Sequence, residues 1–248
     1  MQNNFYFTGN FSNIYRNPSR RSEVTSQIIY GEKFKILTKY KNWIKIKTLF
    51  DNYNGFIKSS KYTKKFSPNY KVSSLKAKIF RKPGKETKSW LPLASRLSVF
   101  EQDKNYVKIE KNKWMKKTDI KKLTHKENNF IKIFKKFLDV KYVWGGKTFR
   151  GIDCSALLQI FFYYNSLFYP RDTKDQIKYT KKLSKKGTFK KGDIIFWKGH
   201  VAMCLNSKQL IHAYGPEKKV IIMPIIETIN RIQKTAKLKV KKISRIKY

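Results

Sequence analysis

The sequence predicts an α+β domain in the C-terminal half preceded by two small all-β barrels, and three observations lead there. Apolar and polar residues alternate in short runs from about Glu23 to Lys58, with almost no helical periodicity. A second series with the same rhythm begins near Val72. From Asn128 the pattern takes a helical period, and after Gly192 it turns strand-like. Helices followed by strands within one unit place that unit in the α+β class. The expected units are residues 1–66, 67–123 and 124–248.

In the first unit, Ile28-Ile29-Tyr30, Phe34-Lys35-Ile36-Leu37, Trp43-Ile44-Lys45-Ile46 and Gly55-Phe56-Ile57 are strand-length runs separated by turn residues. In the second, Ala77-Lys78-Ile79-Phe80, Leu97-Ser98-Val99-Phe100, Tyr106-Val107-Lys108-Ile109 and Trp114-Met115 repeat the rhythm, which suggests a duplicated fold. Phe130, Ile131, Ile133, Phe134, Phe137 and Leu138 then recur at helical spacing. A further helix is expected over 154–164, where Asp153 or Ser155 can cap an apolar body of Leu157, Leu158, Ile160, Phe161 and Phe162. Strands are expected at Asp193-Ile194-Ile195-Phe196-Trp197, at His200-Val201-Ala202-Met203-Cys204-Leu205, at Gln209-Leu210-Ile211-His212-Ala213 and at Val220-Ile221-Ile222.

Composition narrows the function classes. With 40% hydrophobic residues in 248, the chain can bury real cores, and 18 Phe, 15 Tyr and 5 Trp argue against disorder. Two cysteines and no C-x-x-C pair favour a reducing compartment. Met1 to Asn10 has no basic segment followed by an apolar one, so no secretory signal is read there and a cytoplasmic location is expected. No apolar run is long enough to span a bilayer, and no membrane partner is expected. The net charge of +41 comes from lysines scattered along a chain also rich in Asn, Ile, Phe and Tyr. That pattern reads as a solvated, compositionally driven surface rather than a nucleic-acid interface. It is compatible with steering a small carboxylate-rich substrate.

Chemistry concentrates on few residues, because the chain has 3 histidines and 2 cysteines. Cys154 opens a predicted helix, where unpaired backbone N–H groups and the helix dipole favour thiolate. His200 begins a strand just past Lys198-Gly199, and His212 lies on the next strand, so a hairpin can bring the imidazoles together as base and orienter. A zinc site built from Cys154, His200, His212 and Cys204 uses suitable ligand types but matches no common zinc spacing. Buried structural roles for the same residues are the remaining reading.

An ordered series of motifs runs through the third unit: Tyr142-Val143-Trp144-Gly145-Gly146, Gly151-Ile152-Asp153-Cys154-Ser155, Pro170-Arg171-Asp172-Thr173-Lys174-Asp175-Gln176, Gly192-Asp193-Ile194-Ile195-Phe196, His200-Val201 and Ile211-His212-Ala213. In order and spacing it resembles the NlpC family of cell-wall cysteine peptidases. The resemblance implies a papain-like core, hydrolysis of peptidoglycan stem peptides, and no metal or cofactor. It makes Cys154 the nucleophile, His200 the general base and His212 the residue that orients it. Tyr142 is implied beside the thiol as an oxyanion partner, and Asp153 and Ser155 as substrate contacts. Ala156 stands where the family usually has glycine.

Ser22-Glu23-Val24-Thr25-Ser26-Gln27, Tyr30-Gly31-Glu32 and Tyr53-Asn54-Gly55-Phe56-Ile57 resemble bacterial SH3-like domains, and Leu91-Pro92-Leu93-Ala94-Ser95-Arg96-Leu97 marks a looser second copy. Two such barrels ahead of the core resemble the subgroup that cleaves the γ-D-glutamyl to L-diamino-acid bond. That likeness implies that Glu23 and Tyr53, with Asp153, recognise a free N-terminal L-Ala. Two alternatives stay open: an extracytoplasmic hydrolase of intact wall, and a polyanion-binding module with a vestigial core.

Overall fold

The computed structural model describes residues 4–58, 61–183 and 188–245. Its first barrel is built from β1 (Asn4–Phe7), β2 (Phe11–Tyr15), β3 (Val24–Ile29), β4 (Lys33–Tyr40), β5 (Trp43–Thr48), β6 (Asn54–Lys58) and β7 (Tyr62–Thr63), in the order β3-β2-β6-β5-β4-β1-β7. Alternation sets the inward face: Trp43, Ile44, Ile46 and Thr48 are buried on β5 while Lys45 and Lys47 lie between them, partly exposed. Phe7, Ile14, Ile28, Phe34 and Ile57 complete the core. The sheet begins well before Glu23, where the alternating pattern first becomes legible. On β1 and β2 only Phe7 and Ile14 are fully buried, too few to register as a period.

The second barrel follows, with β8 (Tyr70–Val72), β9 (Lys76–Lys82), β10 (Lys85–Pro92), β11 (Arg96–Leu97), β12 (Glu101–Gln102), β13 (Tyr106–Glu110), β14 (Lys113–Lys116) and β15 (Ile120–Lys122). These form sheets ordered β10-β9-β14-β13-β12 and β11-β8-β15 around Val72, Ile79, Leu91, Val107 and Met115. Tyr30 of the first barrel is buried in this second core, and its hydroxyl donates to Glu110 at 2.7 Å. The next residue, Gly31, has φ +76, and a Cβ there would lie 2.2 Å from the Arg96 carbonyl oxygen. Only glycine lets the barrels approach so closely.

The C-terminal domain contains α1 (Phe130–Lys135), the short pair β16 (Lys147–Thr148) and β17 (Gly151–Ile152), α2 (Cys154–Tyr164) and α3 (Thr173–Tyr179). After them come β18 (Asp193–Trp197), β19 (His200–Cys204), β20 (Gln209–Tyr214), β21 (Lys219–Pro224), α4 (Ile225–Ala236) and β22 (Lys242–Arg245). The antiparallel sheet has the order β21-β20-β19-β18-β22. Its two faces are sorted by strand alternation. Ile194, Phe196, Val201, Met203, Ile211 and Ala213 pack with α2, whereas Ile195, Trp197, Ala202, Cys204 and Leu210 pack with Ile225 and Ile232 of α4. Cys204 is thus a core residue on the α4 side.

Helix α2 has its predicted bounds, and each of its residues is buried. Helix α4 departs from the strand-like texture expected after Gly192. Its β-branched isoleucines favour strand by local preference, but Ile225, Ile229 and Ile232 share one helical face against the sheet. Helix α3 was likewise not expected, being a short polar segment without an apolar stripe.

Polar ties fasten both barrels to this domain. Lys147 Nζ lies 3.1 Å from both Glu32 oxygens, with each side chain 1% exposed. Gln159 donates to Asp51 at 2.7 Å. At the far end of α2 the Tyr164 carbonyl accepts from Lys71 Nζ at 2.6 Å, and the Tyr163 carbonyl from Arg96 Nη2 at 2.9 Å. Burial first, then the neighbouring Arg96 and Lys126 charges, pull the Lys71 ammonium down to about 7. Among the described residues no helix is long and apolar enough to cross a membrane.

Candidate active site

Cys154 is the first residue of α2, and Asp153 is its N-cap. Asp153 Oδ1 accepts from Ala156 N at 2.8 Å and from Ser155 Oγ at 3.0 Å, while Oδ2 accepts from Gly145 N at 3.0 Å. Arg171 then closes on both oxygens, Nη1 to Oδ1 at 3.0 Å and Nη2 to Oδ2 at 2.7 Å. Five donor contacts occupy this carboxylate, and Arg171 balances its charge. The sequence reading assigned Asp153 and Ser155 to substrate. In the structure Asp153 caps the helix and pairs with Arg171, and the Ser155 hydroxyl bridges the two by accepting from Arg171 Nη1 at 2.9 Å. Ala156 is fully buried, so the methyl that replaces the usual hydrogen is accommodated in the core.

Gly145 brings the first barrel against this network. With φ +73, a Cβ there would meet the Val24 carbonyl oxygen at 2.5 Å. Arg171 Nε also donates to Ser26 Oγ of the barrel at 2.9 Å.

The thiol of Cys154 is 4% exposed and takes hydrogen bonds from the Val201 backbone N–H and the Thr173 hydroxyl. Val201 directly follows His200 in the chain. Burial, then the Asp153 charge, push the thiol up to about 12, and the two hydrogen bonds and Arg171 only partly offset this. Nε2 of His200 lies 2.9 Å from Nδ1 of His212, so the hairpin does bring the two imidazoles together. Burial pulls His200 down to about 4 and, with the His200 and Arg231 charges, holds His212 well below its ordinary value. The resting pair is a neutral thiol and a neutral imidazole. No hydrogen bond joins Sγ to either ring among the described residues. Catalytic bonds of this kind commonly tighten only when substrate is bound. Tyr142 lies near enough for Cys154 and Asp153, after burial, to raise its phenol.

A cleft of about 250 Å³ opens over Cys154. One side is lined by Cys154, Trp144, Arg171, Asp172, Thr173 and Lys174, with Asp153 and Ser155 also reaching the cleft, and the other by Arg16, Glu23, Thr25 and Tyr53 of the first barrel. Glu23 accepts from Trp144 Nε1 at 2.8 Å and pairs with Arg16 at 2.7 Å. The Tyr53 hydroxyl lies 3.3 Å from the Thr25 carbonyl oxygen and 3.4 Å from both Asp172 oxygens. Burial, then Asp172, push Tyr53 up to about 12. Asp172 holds the N-cap position of α3 without capping it, so its carboxylate is left for the cleft. Sequence reasoning gave Arg171, Asp172 and Thr173 no roles, although they lie in a quoted motif. An aspartate directly before a helix normally reads as a cap, and only the fold shows that this one is not.

These elements, a nucleophile-bearing helix end against a sheet that carries paired histidines, define a cysteine-peptidase core. Residues 139–237 match the NlpC/P60 family and residues 14–61 match the bacterial dipeptidyl-peptidase SH3 domain. The chain carries an NlpC/P60 cysteine-peptidase domain behind an N-terminal SH3 domain of the bacterial dipeptidyl-peptidase type. It is 24% identical to dipeptidyl-peptidase 6 of Lysinibacillus sphaericus, over 82% of this chain and 84% of the relative. It is also 24% identical to the γ-D-glutamyl-L-lysine dipeptidyl-peptidase of Bacillus subtilis, over 83% of this chain and 77% of the relative. The crystal structure of an NlpC/P60 family protein from Bacillus cereus shares the fold, with a TM-score of 0.83 at 18% identity, covering 98% of this chain and 99% of that one.

Proposed function

We propose that the protein hydrolyses the γ-D-glutamyl to L-diamino-acid bond of peptidoglycan stem peptides that carry a free N-terminal L-Ala, in cytoplasmic turnover of wall fragments. The observation that carries this reading is the joint cleft. Glu23 and Tyr53 from the barrel and Asp172 from the facing side bring acidic and phenolic oxygens into the cleft that Cys154 lines. Such a cleft suits an ammonium group. Asp153 is paired with buried Arg171, so Asp172 is the first carboxylate to meet that cation, and Glu23 joins it by giving up its partly exposed partner Arg16.

In this reaction His200 takes the thiol proton and Sγ attacks the carbonyl carbon of the γ-glutamyl bond. The backbone N–H of Cys154 and the Tyr142 hydroxyl face the developing oxyanion. Collapse breaks the C–N bond, His200 returns the proton to the leaving amine, and water then hydrolyses the thioester. His212 keeps the His200 ring in place throughout.

Incubation with L-Ala-γ-D-Glu-diamino-acid peptides should release L-Ala-D-Glu, measured by mass spectrometry. Cys154→Ala should abolish release, and N-acetylation of the substrate should reduce it strongly. Equal cleavage of the acetylated peptide overturns the ammonium reading and favours a hydrolase of intact wall. Unchanged release by the alanine variant overturns the mechanism.

A further inference from the structure

Both ring nitrogens of His212 have partners. Nδ1 faces His200 Nε2 at 2.9 Å, and Nε2 faces the Met223 thioether sulfur at 3.4 Å. His212 is fully buried and Met223 is 6% exposed. Met223 stands on β21, paired with β20 so that Leu210 opposes Met223 and His212 opposes Ile221. Tyr214 stacks on the His212 ring, with centroids 4.5 Å apart and planes 11° from parallel, which holds the ring edge toward both partners.

A thioether sulfur has lone pairs and no proton, so it can only accept a hydrogen bond. The proton of this bond must therefore be on His212 Nε2. A neutral imidazole carries one ring proton, which leaves His212 Nδ1 bare. The short contact to His200 then has to be donated by His200 Nε2–H. By the same count, His200 Nδ1 carries no proton. Burial keeps both rings neutral, so the count holds at physiological pH.

In the opposite arrangement, with the proton on His212 Nδ1, His212 would donate to His200 Nε2. His200 would then hold its single proton on Nδ1 and could not accept one from a thiol there. That arrangement also sets a nitrogen lone pair against the sulfur lone pairs.

We propose that Met223 is a positioning residue for the general base: its thioether fixes the Nε2–H form of His212, which in turn leaves His200 Nδ1 as the proton-accepting atom of the site. The proposal rests on His200 acting as the base in the reaction above. It extends that role to a residue on a different strand, in the core on the α4 side of the sheet.

The test is long-range proton–nitrogen NMR of the full chain labelled with ¹⁵N-histidine, read beside peptide kinetics. In the wild type both His200 and His212 should show the proton on Nε2. Met223→Leu keeps the bulk but removes the acceptor. His212 should then populate the Nδ1–H form, and kcat should fall roughly fivefold, the factor of one weak hydrogen bond, with KM unchanged. A wild-type spectrum with the proton on His212 Nδ1 overturns the proposal whether or not the leucine variant folds. So does a folded variant that keeps both the tautomer and kcat. A wild type inactive on stem peptides yet with both Nε2–H forms refutes the activity and supports the tautomer assignment, so the two failures are distinguishable.

Discussion

Arg171 holds both carboxylate oxygens of Asp153 from a position 18 residues further along the chain, and both side chains are buried. The pair lines the cleft, and it joins the cap of α2 to Ser26 on the barrel. Removing the guanidinium strands a carboxylate that has lost its counter-charge. Arg171→Met should therefore cost about 3–5 kcal/mol of unfolding free energy, the range for one broken buried ion pair. Urea denaturation measures this, and a loss below about 1 kcal/mol would show that the pair is not sealed from water.

The Glu32–Lys147 pair makes the second prediction. It crosses between the first barrel and the catalytic domain with both side chains out of solvent. Glu32→Leu or Lys147→Met alone leaves one buried charge uncompensated and should destabilise by about 3–5 kcal/mol. The double variant should recover most of that loss, because apolar groups of similar volume replace a buried pair well. A double-mutant cycle reads the coupling, and strictly additive losses would contradict it.

Acid sensitivity follows from the two histidines. Both are held neutral by burial, His200 with its titration pulled from 6.5 down to about 4. As the pH drops below 6.5, the unfolded chain takes up protons that the folded chain refuses, so the unfolded state gains. Stability contributed by these rings is complete above 6.5 and declines as the pH falls toward 4. Asp172, whose carboxyl is raised by burial, works in the opposite sense. The urea midpoint should drop between pH 7 and pH 4.5, and drop less in His212→Asn, which has one buried ring fewer. A midpoint that rises on acidification would refute the assignment.

What the sequence disclosed depended on how local each signal was. Helix α2 was readable to its ends because cap, apolar body and terminus are contiguous from Asp153 to Asn165. Cys154, His200 and His212 could be singled out because the chain has so few residues of those types, and the pairing of the imidazoles needs only one hairpin. Asp153 was harder to judge. The resemblance implies a substrate contact, and Asp153 does line the cleft, but its ion pair with Arg171 joins residues too remote in sequence for any local pattern to encode. Glu23 reaches Trp144 across 121 positions, a contact that no local pattern encodes. Helix α4 was hidden by isoleucines whose local preference runs against the element that tertiary packing imposes.

The helix that presents Cys154 is clasped at both ends by neighbours outside its own domain. Ser26 holds one end through Arg171, and Lys71 and Arg96 fasten the carbonyls at the other. It behaves like an axle mounted in two bearings. The barrels are therefore part of the machinery that aims the sulfur, and a surgical excision of the C-terminal half would yield a loosened fragment rather than a smaller enzyme.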